Sequence, residues 1–158
     1  MTTAVTTPSI RLDGTNITID WGDGNEDNIP EAEYYLAPHL YTTSGPYTIT
    51  ITGGVTHLEC PYNGLTQLEI NNCPGLVDLT CRDNQLASLD VSGCPGLEYI
   101  HCLDNRLDAT ALNALFESLP DQISFLPESC VIVIGGNDGT YTCVNEITED
   151  KNWTVSEN

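Results

Sequence analysis

Basic residues are scarce in this chain. Only four of the 158 residues are Lys or Arg, whereas 23 are Asp or Glu, so the formal net charge is −19. A surface of this charge repels phosphate groups, which excludes nucleic acid as a partner and disfavours anionic membranes. Solubility is the simplest interpretation of the charge. Attraction of hard cations such as Ca²⁺, which prefer oxygen ligands, is the alternative.

Long apolar runs and catalytic signatures are missing too. No apolar stretch is long enough to span a bilayer, so we predict no membrane insertion by this chain. The start, MTTAVTTPSIRLDG, has no basic segment followed by an apolar one and therefore does not resemble a signal peptide. G-x-S-x-G, H-E-x-x-H and P-loop motifs are absent. We therefore do not expect an enzyme.

A 21-residue repeat occupies the middle of the chain. Its rows read VTHLECPYNGLTQLEINNCPG, then LVDLTCRDNQLASLDVSGCPG, then the partial row LEYIHCLDNRL, which ends at Leu107. Periods of this length are typical of solenoids, in which each row forms one coil. We expect a short parallel strand in each row, with the first, fourth, sixth and eleventh residues pointing inward.

Two columns of the repeat carry polar or reactive side chains that we interpret as structural. We predict that asparagines at the turns satisfy unpaired backbone groups and that the cysteine column is a buried apolar ladder. The seven cysteines include no C-x-x-C pair, which argues against zinc. A bond between Cys130 and Cys143 is possible. The ladder residues are Asn63, Asn84, Asn105, Asn137, Cys60, Cys81 and Cys102.

The N-terminal segment reads mostly as strands. VTTPSIRL, NITIDW and PYTITIT alternate apolar and polar residues, and Gly53-Gly54 is expected to end the last of them. The acidic stretch GNEDNIPEAEYYLAPH contains two prolines, so we expect a loop or one short helical turn there.

The C-terminal segment predicts a helix and a further row. An apolar stripe runs from residue 108 to 120, with Asp108 as N-cap and Pro120 as the stop. The pattern Ile132-x-Ile134-x-x-Asn137 repeats the spacing of the preceding row, so the asparagine ladder should continue after the helix. A short helix in CVNEITEDKN and a last strand at WTV should follow.

These elements predict one continuous α+β domain: a leucine-rich-repeat solenoid with parallel strands on its concave face. Residues 1–54 would form a β N-terminal cap, residues 55–107 the repeats, and residues 108–158 a helix/strand C-terminal cap. We expect a monomer.

The motifs also resemble a known group of proteins. The row LVDLTCRDNQLASLDVSGCPG, the helix LNALFESLP and the final NWTV are similar to those of short cysteine-containing leucine-rich-repeat surface proteins of Gram-negative gut bacteria. ITIDWGDG and YTITITG also resemble a segment of polycystic-kidney-disease-type (PKD-like) β-sandwich repeats. The resemblance implies an extracellular or cell-surface location. It does not imply an activity, because the family has no catalytic motif to carry over.

Outward residues of the repeat strands are the best candidate for a binding surface, because they lie side by side on neighbouring strands. Aromatic rings, histidines and acids on one face suit a protein or glycan ligand at the cell surface. The alternative is that each strand merely exposes something to solvent. The candidate residues are His57, Glu59, Tyr62, Asp78, Thr80, Arg82, Tyr99 and His101.

Two metal sites are weaker hypotheses. The first is a Ca²⁺ site formed by Asp20, Asp23, Asn25 and Asp27. It lacks the EF-hand spacing, because Tyr34 stands where the bidentate Glu belongs. The second would use His57, Glu59, Asp78 and His101, although these side chains are more simply interpreted as solvated.

Three functions follow from these observations. We expect a non-enzymatic extracellular binding or adhesion module that needs no cofactor. The alternative is a structural spacer in a larger surface assembly, and a metal-dependent hydrolase is the least favoured.

Overall fold

A seven-stranded mixed β-sheet dominates the computed structural model, which describes residues 1–3, 6–43, 46–70, 73–122 and 130–158. The strand order is β3-β2-β5-β6-β7-β8-β9. These strands are β2 (Ile10–Asp20), β3 (Glu26–Ala37), β5 (Thr50–Glu59), β6 (Asp78–Thr80), β7 (Tyr99–His101), β8 (Cys130–Val133) and β9 (Trp153–Ser156). A separate two-stranded sheet pairs β1 (Thr2–Thr3) with β4 (Tyr47–Thr48).

The antiparallel half of the sheet consists of the long strands β2, β3 and β5. β2 lies between the other two and pairs antiparallel with both, and its register shifts near Gly14. Its alternating apolar side chains are buried, as period-two patterning predicts. Ile10, Ile17 and Ile19 are at most 1% exposed.

The parallel half consists of β6 to β9, which continue the sheet from β5. Leu58, Leu79 and Ile100 are aligned across β5, β6 and β7, and Ile132 follows them on β8. All four side chains are buried against the core. The repeat period thus predicted both the parallel pairing and its register correctly.

The ladder asparagines hold the turns of neighbouring rows together. Asn84 Nδ2 donates to the carbonyls of Cys60 and Cys81, at 3.0 and 2.8 Å. Asn84 Oδ1 accepts from the backbone N–H groups of Asn63 and Leu65, both at 3.0 Å. Buried backbone groups need hydrogen-bond partners, and the Asn84 side chain supplies them where the turn has no backbone partner to offer.

The same arrangement recurs in the next two rows. Asn105 donates to Cys81 and Cys102, both at 3.1 Å. Asn137 donates to Cys102 and Ile134, at 3.0 and 2.7 Å. The predicted extension of the ladder beyond the helix is therefore confirmed.

Asn63 begins the ladder differently, because its neighbour is the N-terminal segment. Its Oδ1 accepts from Ser9 N at 2.7 Å, and its Nδ2 donates to Ser9 O at 2.9 Å. Its own backbone carbonyl accepts from the Thr3 hydroxyl at 2.6 Å. This residue therefore ties the first row to the N-terminal segment that precedes β2.

The C-terminal helices agree with prediction. Helix α1 spans Ala109–Ser118, and the Asp108 side chain accepts from Ala111 N at 2.8 Å as its N-cap. Leu112, Leu115 and Phe116 are fully buried. Helix α2 spans Glu146–Glu149, and β9 forms where the last strand was expected.

The predicted fold class is wrong. Over the described residues, the chain forms a seven-stranded mixed sheet with two short helices, not a leucine-rich-repeat solenoid between caps. β2, β3 and β5 have 11, 12 and 10 residues, whereas the repeat strands β6 and β7 have three each. The segment expected to be a cap is therefore a major part of the sheet, and the rows only extend it.

Two local predictions in the N-terminal segment also fail. The expected loop is β3, whose Pro30 is tolerated because β3 forms the edge of the sheet. Gly53-Gly54 does not end a strand, because β5 continues to Glu59. A Cβ on Gly53 would lie 2.2 Å from Asn16 O, so glycine permits close approach of the backbones there. Val5, the first residue of the strand predicted at VTTPSIRL, lies outside the described residues.

Candidate functional site

One face of the sheet brings together six of the predicted binding residues. The first row across β5, β6 and β7 consists of His57, Asp78 and Tyr99, which are direct register partners. The second row consists of Glu59, Thr80 and His101. We call the six residues of these two rows the sheet face.

The side chains of the sheet face alternate with the buried residues of the same strands. His57 is exposed and the other five are partly exposed. The Tyr99 and His101 rings meet edge to face, with centroids 6.2 Å apart. The repeat therefore places donors, acceptors and aromatic surface on one side of three adjacent strands.

Tyr62 and Arg82 border the sheet face at the turns. Tyr62 is 61% exposed, and Arg82 lies over its ring at 4.7 Å from the centroid. Arg82 Nη1 also donates to the Tyr62 hydroxyl and to Asp83, both at 2.5 Å. Tyr62 has a φ of 58°, and Asp83, at the same position of the next row, has a φ of 56°. The repeated left-handed turn thus positions the ring beside Arg82.

A cleft opens at the other border, where β2 and β3 adjoin the sheet face. Arg11 Nη1 lies 3.2 Å from Glu59 Oε2, and the guanidinium lies 4.5 Å from the centroid of the Tyr34 ring. Asp13 Oδ2 lies 3.6 Å from His57 Nδ1, and Asp13 also accepts from Tyr34 N. The cleft has a volume of about 300 Å³, and its lining includes Asp78 as well.

Sequence reasoning missed the contribution of Arg11, Asp13 and Tyr34. The alternation of β2 was visible, with Ile10 and Leu12 facing the core, so Arg11 and Asp13 had to face the opposite side. No sequence signal placed β2 beside β5, because no repeat relates them. Tyr34 belongs to the segment that was expected to be a loop.

Partial burial shifts the pKa of three residues on the sheet face. Burial raises the pKa of Asp78, and the charge of Glu59 raises it further, although His57 opposes them. Burial and the nearby Asp78 raise the pKa of Tyr99. Burial and the Arg82 charge lower the pKa of His101, outweighing the opposite effect of Asp83. His101 is therefore neutral at neutral pH and can both donate and accept a hydrogen bond.

The structure gives neither metal hypothesis a coordination site. Within the described ranges, no three His, Cys, Asp or Glu side chains are grouped so that they could hold an ion. In the predicted Ca²⁺ cluster, Asp20 and Asp23 accept hydrogen bonds from N–H groups of their own turn, and Asp27 accepts from the Trp21 indole. These carboxylates stabilise the turn rather than converge. The second set, His57, Glu59, Asp78 and His101, lies on the sheet face without converging on one point.

The WGDG turn is built around an aromatic stack that the sequence did not reveal. Trp21 and His39 stack with centroids 4.3 Å apart and ring planes at 6°. His39 Nε2 lies 3.0 Å from Asp23 Oδ2, and the Tyr41 hydroxyl donates to Trp21 O at 2.7 Å. The WGDG motif therefore holds the end of β2 against residues 39–41, which follow β3.

The comparisons with known proteins add no relative. No family model matches the chain, and neither a curated protein nor a solved structure is significantly similar to it. None of the helices in the described part of the chain is both long and apolar enough to cross a membrane.

Proposed function

We propose that this chain is a non-enzymatic binding module whose sheet face and adjoining cleft hold an uncharged oligosaccharide. The observation that carries the proposal is the register of the two rows, which gathers carboxylates, histidines and an aromatic ring on three adjacent strands.

The size of the surface favours a small or narrow ligand. A typical protein–protein interface uses about 20–30 residues from each partner. The sheet face has six residues, and Arg11, Asp13, Tyr34, Tyr62 and Arg82 border it. A sugar chain or a short peptide matches this area better than a folded protein does.

The chemistry of the surface favours an uncharged sugar. Glu59 and Asp78 are acceptors for hydroxyl groups, and neutral His101 can serve as donor or acceptor. Tyr62 and Tyr99 offer ring faces or edges for the C–H surface of a sugar ring. A net charge of −19 disfavours anionic glycans.

The proposed place of action is the cell surface or the extracellular space. This part of the proposal is supported by the sequence resemblance to bacterial surface proteins alone. A protein or peptide ligand, and a spacer role without any ligand, are the other outcomes that the experiment below distinguishes.

The test is a glycan array followed by calorimetric titration of any oligosaccharide that binds. The triple variant Tyr62→Ala, Tyr99→Ala, His101→Ala should lose at least tenfold in affinity, because it removes both rings and one hydrogen-bonding group. The melting temperature should change little, since all three side chains are at least partly exposed. Tyr141→Ala is the matched control, because Tyr141 is 85% exposed and does not border the sheet face.

A triple variant that binds as tightly as the parent chain would remove the sheet face from consideration. Absence of binding to any glycan, together with binding to peptides, would favour a protein ligand. Absence of both would favour the spacer role.

A further inference from the structure

We propose that Cys73 and Cys94 are a redox-active pair that closes into a disulfide and staples the first repeat row to the second. Both residues belong to the Cys-Pro-Gly column, one row apart. Neither forms a disulfide in the structure, and each lies close enough to shift the pKa of the other. The inference does not depend on the proposed binding function.

The backbone already holds the two residues at a distance compatible with a bond. Cys73 N donates to Gly93 O at 3.1 Å, which fixes the two turns side by side. Rows in register lie about 4.8 Å apart, and disulfides need Cα atoms about 4.4–6.8 Å apart. Because the hydrogen bond from Cys73 N to Gly93 O places the two cysteines at the same position of adjacent turns, closure requires side-chain rotation rather than movement of the chain.

Accessibility distinguishes this pair from the other cysteine column. Cys73 is partly exposed, so a dissolved oxidant can reach it, whereas Cys94 is buried beside it and its thiol donates to Ile70 O at 3.5 Å. Cys60, Cys81 and Cys102 are fully buried. Burial raises the pKa of Cys60 and of Cys102 to about 12, so their thiolates hardly form.

The reaction needs a small disulfide as oxidant, and oxidised glutathione is the probe. The Cys73 thiolate attacks one glutathione sulfur, forms a mixed disulfide and expels the other half as a thiolate. The Cys94 thiolate then attacks the Cys73 sulfur, which forms the Cys73–Cys94 bond and releases the second glutathione. Two electrons pass to the oxidant, and the two cysteine protons end on two glutathione thiols.

Burial slows both steps at neutral pH. It raises the pKa of Cys73, and it raises the pKa of Cys94 to about 11, with a smaller contribution from the neighbouring Cys73. Oxidation should therefore accelerate as the pH rises, because the thiolate is the attacking species.

The experiment is peptide mapping of the folded chain after oxidation at mildly alkaline pH. Free thiols are alkylated without reduction, and the chain is cut after Glu69, Arg82 and Glu98. The expected product joins peptides 70–82 and 83–98, and the intact chain loses the mass of two hydrogen atoms. The oxidised chain should also melt about 5 °C higher, because the bond restricts the unfolded state.

Single variants assign the bond. Cys73→Ser should abolish the joined peptides, and Cys94→Ser should stop at a glutathione adduct on Cys73. Cys143→Ser is the matched control, since Cys143 is partly exposed but lies outside the column. A parent chain with Cys73 and Cys94 fully alkylated, or with a stable adduct on Cys73, would overturn the proposal. Joined peptides without a higher melting temperature would refute the stapling role.

Discussion

The two halves of the sheet solve the same hydrogen-bonding problem with different means. In the antiparallel half, long strands pair along most of their length, so the backbone satisfies itself. In the parallel half each repeat strand has three residues, and every row must then turn inside the core. Buried asparagine side chains bond the backbone at those turns. The parallel half therefore depends on a few side chains, whereas the antiparallel half depends on many backbone contacts.

Loss of one ladder asparagine should be the most damaging change. Asn84→Ala leaves several buried backbone groups without partners, because Asn84 bonds Cys60, Cys81, Asn63 and Leu65 at once. We expect the free energy of unfolding to fall by about 3–5 kcal/mol. Urea denaturation measures it.

Asn28→Ala is the matched control for that change. Asn28 lies on β3 and is exposed, and its side chain accepts from the Thr18 hydroxyl at 2.9 Å. We expect a loss of less than about 0.5 kcal/mol. Equal losses in the two variants would show that side-chain hydrogen bonds matter no more in the parallel half than in the antiparallel half.

Close approach of two backbones should be the weak point of the antiparallel half. In Gly53→Ala the new Cβ would lie 2.2 Å from Asn16 O, and the φ of 111° is unfavourable for any L-residue. We expect a loss of about 3 kcal/mol, because β2 and β5 must separate locally. Thermal and urea unfolding measure it.

Gly24→Ala separates backbone strain from the clash. Gly24 has a φ of 92°, but among the described residues beyond its two chain neighbours no atom lies within 4 Å of a Cβ built there. It should lose only about 1–2 kcal/mol. If Gly53→Ala costs no more than Gly24→Ala, the tight pairing of β2 with β5 does not contribute to stability.

The smallest expected effect concerns Asp78, on the strand β6 that joins the parallel half to β5. The raised pKa of Asp78 means that the folded chain holds this proton more tightly than the unfolded chain does. The stabilisation is present below the ordinary value of 3.8 and is lost as the pH rises through the folded-state pKa. Asp78→Asn should therefore raise the melting temperature by roughly 1 °C at neutral pH and by nothing in acid.

Asp90→Asn should have the opposite sign. Hydrogen bonds from Ser92, including one from its N–H at 2.9 Å, lower the pKa of Asp90 below its ordinary value. Ionised Asp90 then favours the folded chain above that value, and this contribution is lost as the pH falls through the folded-state pKa. Melting curves at several pH values would contradict both predictions if the two variants shifted in the same direction.

Sequence reasoning succeeded where a pattern repeats and failed where partners are unrelated in sequence. The rows predicted the register of His57 with Asp78 and of Asn105 with its turn, because identical rows stack in identical positions. The helix from Ala109 was predictable from its apolar spacing and its Asp108 cap.

The strand β3 shows why the rest was missed. Its buried residues Ile29, Ala32 and Ala37 are three and five positions apart, because a bulge shifts the register beside Gly14. Strict alternation is therefore absent. Pro30 and the exposed acids of an edge strand also look like a loop. Without β3, the cleft beside Arg11 cannot be predicted, and the repeat rows by themselves favour a solenoid.

The position of β5 has a consequence for how this molecule can change in size. One edge of β5 pairs antiparallel with β2, and its other edge pairs parallel with β6. The register of β6 on β5 is the same as that of β7 on β6. Each repeat strand pairs with the preceding strand through one edge and offers an equivalent edge to the next strand. Duplication of a 21-residue row would therefore widen the sheet face by one strand without altering any contact of the antiparallel half.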